Sequence, residues 1–251
     1  MKTNIGKFMG STVFGMACLW AMSGRSQPAP VTPCFNPPPG IVAWYQAESN
    51  TLDHVGSHTG TFIGTPAYNN GEVNHAFEFN GASYVQVAET NTLDFTNTMT
   101  VEAWVNLRTF AGANSREIVS KFGASGPFNC WTLSIDPSTK TAYFVVNASD
   151  NSTHIQINSA STISTNEWTH LAGVVDGSSV KLYVNGLLSN SASWTHGIHV
   201  ASSPITIGCT MQSSPTSYFN GQIDELSLYN TALSDCDIQS IYLVGVVGKC
   251  P

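Results

Sequence analysis

Charge is scarce in this chain. Asp, Glu, Lys and Arg make up 10% of its 251 residues, and only nine residues are basic against 16 acidic. Nucleic acids and anionic membranes, which require a basic face, are therefore poor partners, and a cation is the more natural one. No CxxC pair occurs, which removes the usual spacing of zinc and redox sites. No Gly-x-Ser-x-Gly elbow and no phosphate-cradling glycine loop is present. The one long apolar stretch, Phe8 to Met22, is shorter than the ~20 residues of a membrane span.

What is present near the start has the three-part layout of a secretory signal. Lys2 and Lys7 precede the apolar stretch, and Ala21-Met-Ser23 places small residues at both ends of a three-residue span. Residues 1–23 are read as a signal peptide, and the protein as secreted, with no membrane insertion after cleavage. Residues 24–40, with Pro28, Pro30, Pro33 and Pro37 to Pro39, form an extended linker. Residues 41–251 suffice for one all-β domain.

Five cysteines follow the signal: Cys34, Cys130, Cys209, Cys236 and Cys250. An oxidising compartment favours bridges. Cys34 and Cys250 flank the domain, where a bridge would staple its ends. Cys130 and Cys209 border strand-like runs and are candidates for a second bridge, with Cys236 then left as the odd thiol. Spacing leaves the pairing open.

Alternation dominates the middle of the chain. From Met99 to Asn106, Val101, Ala103 and Val105 share one face, and Glu102, Trp104 and Asn106 the other. Similar runs recur at 41–46, 76–79, 84–87, 118–122, 131–135, 142–146, 154–158, 168–175, 180–184, 205–208 and 222–229. Asn80-Gly81, Asp176-Gly177, Asn185-Gly186 and Asn220-Gly221 supply turn dipeptides. Many short strands with such turns predict an all-β, two-sheet antiparallel sandwich. One short helix is expected near the C-terminus, where Ser234-Asp-Cys-Asp237 reads as a capping box before Ile238 and Ile241. It is expected to cover one end of the sandwich.

The order of motifs resembles bacterial laminin-G-like, concanavalin A-like jelly-roll domains over about residues 40 to 250. The resemblance rests on Ile41-Val-Ala-Trp-Tyr-Gln-Ala-Glu-Ser-Asn50, Asp53-His-Val-Gly56 and Gly60-Thr-Phe-Ile-Gly64, then Ala76-Phe-Glu-Phe-Asn-Gly81 and Val101-Glu-Ala-Trp-Val105. Glu167-Trp-Thr-His-Leu-Ala-Gly173, Leu182-Tyr-Val-Asn-Gly186, Phe219-Asn-Gly-Gln-Ile-Asp-Glu-Leu226 and Tyr229-Asn-Thr-Ala-Leu-Ser234 complete it. It implies a jelly roll that recognises extracellular glycans or proteins. It also implies a structural Ca²⁺ at the rim. On matching positions, Asp53 and Asp224 would be its acids, with Gly56, His58 and Gly60 supplying carbonyls and Glu48 and Asn50 completing the shell. The competing reading is that Asp53 caps a turn and Asp224 makes a buried hydrogen bond.

A non-catalytic carbohydrate-binding role is the leading expectation, ahead of a protein-interaction or adhesion module and a divergent glycoside hydrolase. Hydrolysis needs two carboxylates facing one bond. The Glu-x-Asp-x-x-Glu run of the fold's glucanases is missing, and Asp224 and Glu225, as neighbours on a strand, should face opposite ways. Trp104 and Trp168 read as core, His170 as a packed, hydrogen-bonded histidine, and His196-x-x-His199 as a solvated loop. Trp194 and Tyr218, in loop contexts, are the candidate platforms for a sugar.

Overall fold

The computed structural model describes residues 34–250, apart from 66, 123–128 and 213. The expected signal peptide (1–23) and most of the linker lie outside the described residues. The strands are β1 (Ile41–Tyr45), β2 (Gly60–Ile63), β3 (Tyr68–Asn70), β4 (His75–Asn80), β5 (Tyr84–Val87), β6 (Thr98–Leu107), β7 (Arg116–Phe122), β8 (Asn129–Asp136) and β9 (Thr141–Asn147). Then follow β10 (His154–Thr162), β11 (Trp168–Asp176), β12 (Ser179–Val184), β13 (Leu187–Ser193), β14 (Ile205–Ile207), β15 (Thr210–Met211), β16 (Pro215–Thr216) and β17 (Asn220–Tyr229). One α-helix, α1, spans Asp235–Val244.

Two large antiparallel sheets result. One has eight strands in the order β13-β12-β11-β6-β17-β4-β3, with β1 also paired to β17. The other has seven, β10-β9-β8-β7-β14-β5-β2, and β15 and β16 form a small ribbon. The sheets bury one core between them. Val101, Ala103, Val105 and Leu107 of β6 face Trp131, Leu133 and Ile135 of β8 and Phe144 of β9. This is what strict alternation dictates when one face of each strand is dry. Gly173, in mid-strand, has a packing role: a Cβ there would lie 2.7 Å from the Phe144 ring.

Three local expectations change. First, α1 does carry the capping box, with Ser234 accepting from the Asp237 amide and Asp237 returning a bond to the Ser234 amide. Yet it covers a sheet face rather than an end: Ile238 and Ile241 pack on Ala172, Val174, Tyr183 and Tyr229. Second, Asn220-Gly221 is no turn. It opens β17, and Gly221, at φ +147°, lets the backbone pass where a Cβ would stand 2.2 Å from the Asn106 carbonyl. Third, Asp224 and Glu225 do not face opposite ways. Ile223, Leu226 and Leu228 all point into the core. The register against β6 shifts between Asp224 and Ser227, with Glu225 at φ +54°. This bulge leaves both acids buried away from the core between the sheets.

The chain ends are clasped. Cys34 and Cys250 form a disulfide, Phe35 bridges Lys249 in parallel, and the Cys250 amide donates to the Phe35 carbonyl at 2.7 Å. The second bridge is not formed: Cys130 and Cys209 are buried free thiols. Cys236, expected as the odd thiol, is disulfide-bonded. Among the described residues, no helix is long and apolar enough to cross a membrane.

Candidate functional site

An open groove of about 430 Å³ lies where three segments meet. The turn after β4 brings Asn80 and Gly81. The loop between β6 and β7 brings Thr109 and Ala111 to Asn114. The approach to β17 brings Pro215 to Tyr218 and Asn220. Asn80 and Asn220 are register partners across β4 and β17, so two turn-prone Asn-Gly pairs sit side by side.

Arg116, the first residue of β7, builds one wall. Its guanidinium donates to the carbonyls of Phe110, Ala111, Gly112, Asn114 and Ser115, pulling the loop around itself. Only a planar group with several fixed donors can hold so many carbonyls at once. Its charge is thereby spent on the protein's own backbone. Arg108 is spent likewise, on Glu78 and on the Asn220 Oδ1 at 2.9 Å. Tyr218 also lines the groove, half-buried, its ring 6.3 Å from that of Tyr84. Burial holds the Tyr218 hydroxyl above its ordinary pKa, so it remains a proton donor. No Asp or Glu is among the residues that line the groove.

The lining is thus amide, hydroxyl, backbone and one aromatic face. Such a surface can hydrogen-bond hydroxyls and stack on a ring. It lacks the paired carboxylates that glycoside hydrolysis needs.

Of the two aromatic candidates, Tyr218 lies in the groove and Trp194 does not. Trp194 is buried in the core, its indole N–H donating to the Gly197 carbonyl at 2.7 Å. Trp104 and Trp168, expected as core, lie outside the core between the sheets. Trp104 is buried, although beneath α1, where it stacks on Tyr242, and Trp168 is half-buried. His170 is buried against Glu102, and His196 is exposed in a loop.

The residues matched to a calcium site are individually occupied and do not converge. The Asp53 carboxylate accepts the amides of Trp44, Val55, Gly56 and His58 and the His58 ring. Burial opposes its ionisation, but these donors win, and its pKa falls below the ordinary value. The His58 carbonyl accepts from the Tyr45 hydroxyl and the Gly60 carbonyl from Thr51, both at 2.7 Å. Glu48 is turned to His75. The Asn50 Oδ1 accepts the Leu52 amide. Asp224 is elsewhere, accepting the amides of Val73 and Glu225. Burial, with the Glu225 charge next to it, pushes its pKa up to about 8 despite those bonds. Among the described residues, no three His, Cys, Asp or Glu side chains are grouped to hold a metal. This donor set does not fit a Ca²⁺ ion shared by Asp53 and Asp224, because their carboxylates already serve as backbone caps.

The sequence reading missed Asn80, Asn114, Arg116 and Asn220. The adjacent glycines marked Asn80 and Asn220 as turn residues, but nothing local pairs them.

Comparison with known proteins agrees with the fold. Residues 79–239 match the laminin-G family model described as the concanavalin A-like lectin/glucanases superfamily. No curated protein matches. Domain 4 of AbnA, an extracellular GH43 arabinanase of Geobacillus stearothermophilus, solved in complex with arabinotriose, is 23% identical with a TM-score of 0.64. The match covers 82% of this chain and 98% of that one. The binding domain of Paraclostridial Mosquitocidal Protein 1 is 18% identical, with a TM-score of 0.65 and coverage of 81% and 52%. The binding domain of botulinum neurotoxin DC, solved in complex with SialylT, is 16% identical, with a TM-score of 0.62 and coverage of 82% and 51%. The chain therefore spans about half the length of these two toxin domains. With the family model covering well over half of the chain, and both sheets in place, the protein belongs to the concanavalin A-like lectin/glucanase superfamily.

Proposed function

We propose that this protein is a secreted, non-catalytic carbohydrate-binding module, and that the groove beside Tyr218 takes a neutral oligosaccharide. The observation that carries this reading is the composition of the groove. Asn80, Asn114 and Asn220 offer amides, and Tyr218 offers a ring face, with no carboxylate among them. Both nearby arginines are committed to the protein itself. An uncharged, hydroxyl-rich ligand suits such a lining better than an acidic sugar, which needs an uncommitted cation. The arabinotriose bound to the related arabinanase domain supports the ligand class, and the Cys34–Cys250 bridge supports an oxidising compartment.

The test is titration calorimetry of the full chain with neutral oligosaccharides and with a sialylated one, after a glycan-array screen. Neutral ligands should bind, and Tyr218→Ala should weaken them about tenfold. Binding that is unchanged in Tyr218→Ala would remove the groove from the proposal. An array silent to every glycan would favour the protein-interaction reading. That reading has its own observation, the exposed Leu187 and Leu188 of β13 and Leu243 of α1.

A further inference from the structure

The outer face of the eight-stranded sheet holds charges that a dry environment should not tolerate singly. Glu102 of β6 and Glu225 of β17 are both buried, on adjacent central strands. A buried carboxylate needs a counter-charge and hydrogen bonds, or it costs several kcal/mol. Lys249 supplies the charge. Its Nζ stands 2.9 Å from Glu102 Oε1, 3.2 Å from Glu225 Oε2 and 3.1 Å from the Glu225 carbonyl oxygen. It lies 5.4 Å from the centre of the Trp44 ring. The Trp44 indole N–H donates to Glu225 Oε2, and His170 Nε2 meets Glu102 Oε2, each at 3.2 Å. The lysine side chain is 2% exposed.

Lys249 reaches this place from the end of the chain. The residue after it, Cys250, is bonded to Cys34, and Phe35 bridges Lys249 itself. The remaining cavity beside the ammonium, lined in part by Val73, Trp104 and Gly248, is about 10 Å³. That is room for one water and not for a hydrated ion.

We propose that this sheet face is a cation site occupied by the chain's own Lys249 ammonium. The C-terminal strap carries the ammonium in, and the Cys34–Cys250 disulfide secures it, so the domain needs no divalent metal there. The four carboxylate oxygens of Glu102 and Glu225, all presented by sheet strands, form the fixed half of the site. The strap is the other half. Its contribution depends on the bridge, because a segment not tied to Cys34 would lose more entropy on docking.

Thermal unfolding of the full chain tests this without reference to any glycan. Wild-type protein should melt at the same temperature in calcium chloride and in EDTA; a rise with calcium would overturn the proposal. Lys249→Met should lower Tm by roughly 10 °C, the effect of unpairing buried carboxylates. The triple variant Glu102→Gln, Glu225→Gln, Lys249→Met, which removes the ammonium together with both carboxylates it pairs, should fold and regain most of that loss even if Lys249→Met alone does not fold. A triple variant no more stable than the single one would mean that Lys249 acts by packing, which sinks the charge argument. In a Cys34→Ser, Cys250→Ser background, Lys249→Met should cost clearly less than in the bridged protein. An equal loss in both backgrounds would overturn the role given to the disulfide.

Discussion

The amide of Glu117 donates to the carbonyl of Ser217 at 3.0 Å, tying β7 to the segment that carries Tyr218. The carboxyl of Glu117 is buried on the same strand, and its Oε1 has no partner among the described residues. A buried carboxyl therefore sits on the strand that holds this segment of the groove.

Burial pushes the Glu117 pKa up to about 8, and hydrogen bonds with Thr210 and Ser134 only partly oppose it. A carboxyl raised in the folded state binds its proton more tightly there than in the unfolded chain. Its contribution is complete below the unfolded value, near 4.5, and is lost as pH rises through about 8. The slope over that window is roughly 1.4 kcal/mol per pH unit. Glu117→Gln, uncharged at every pH, should flatten the curve. Melting curves of both proteins between about pH 5 and pH 9 should diverge, with the variant the more stable at the alkaline end. Parallel curves would show that Glu117 titrates normally.

Arg116→Lys should open the groove. A lysine ammonium offers three donors and no planar fork, so it cannot hold the carbonyls of Phe110, Ala111, Gly112, Asn114 and Ser115 together. The variant should lose about 1–3 kcal/mol of stability from carbonyls left unsatisfied. Glycan affinity should fall about tenfold or more as the loop spreads. Calorimetry and denaturant unfolding of the one protein read the two effects separately. Unaltered affinity would detach the loop from binding.

Cys130 and Cys209 should be silent to thiol reagents in the native protein. Both are buried, and burial pushes their thiols up to about 11 and about 12 respectively. The reactive thiolate is thus both rare and inaccessible. Labelling with a chromogenic disulfide at pH 8 should proceed only after denaturant is added, and without any reductant. Fast labelling of the folded protein would contradict this burial.

Much of the fold was legible because alternation is a local signal. Wherever one strand face is dry, apolar residues must recur at every second position, as in β6 and β8. The capping box at Ser234 was legible for the same reason, its two partners lying within one helical turn. Strand β13 was not. Leu187–Ser193 is a largely exposed edge strand rich in Ser and Asn, so no core imposes a pattern on it. The bulge at Glu225 was hidden too, because alternation assumes an unbroken strand and the sequence around Asp224 shows no glycine there.

Of the candidate site, Tyr218 was visible as a loop aromatic, while Trp194 in a similar context proved to be core. A loop context says that a ring lies near the surface and not which way it points.

By itself the sequence determined an acidic, all-β sandwich with a short capped helix. These follow from residue types and from spacings that act over a few positions. Only the tertiary structure decided where the groove lies, since Asn80, Arg116 and Tyr218 come from separate segments joined by strand pairing. It alone decided that Lys249 neutralises Glu102 across 147 residues. Burial makes that pairing necessary, and burial is a property of the packed sheets rather than of any stretch of chain.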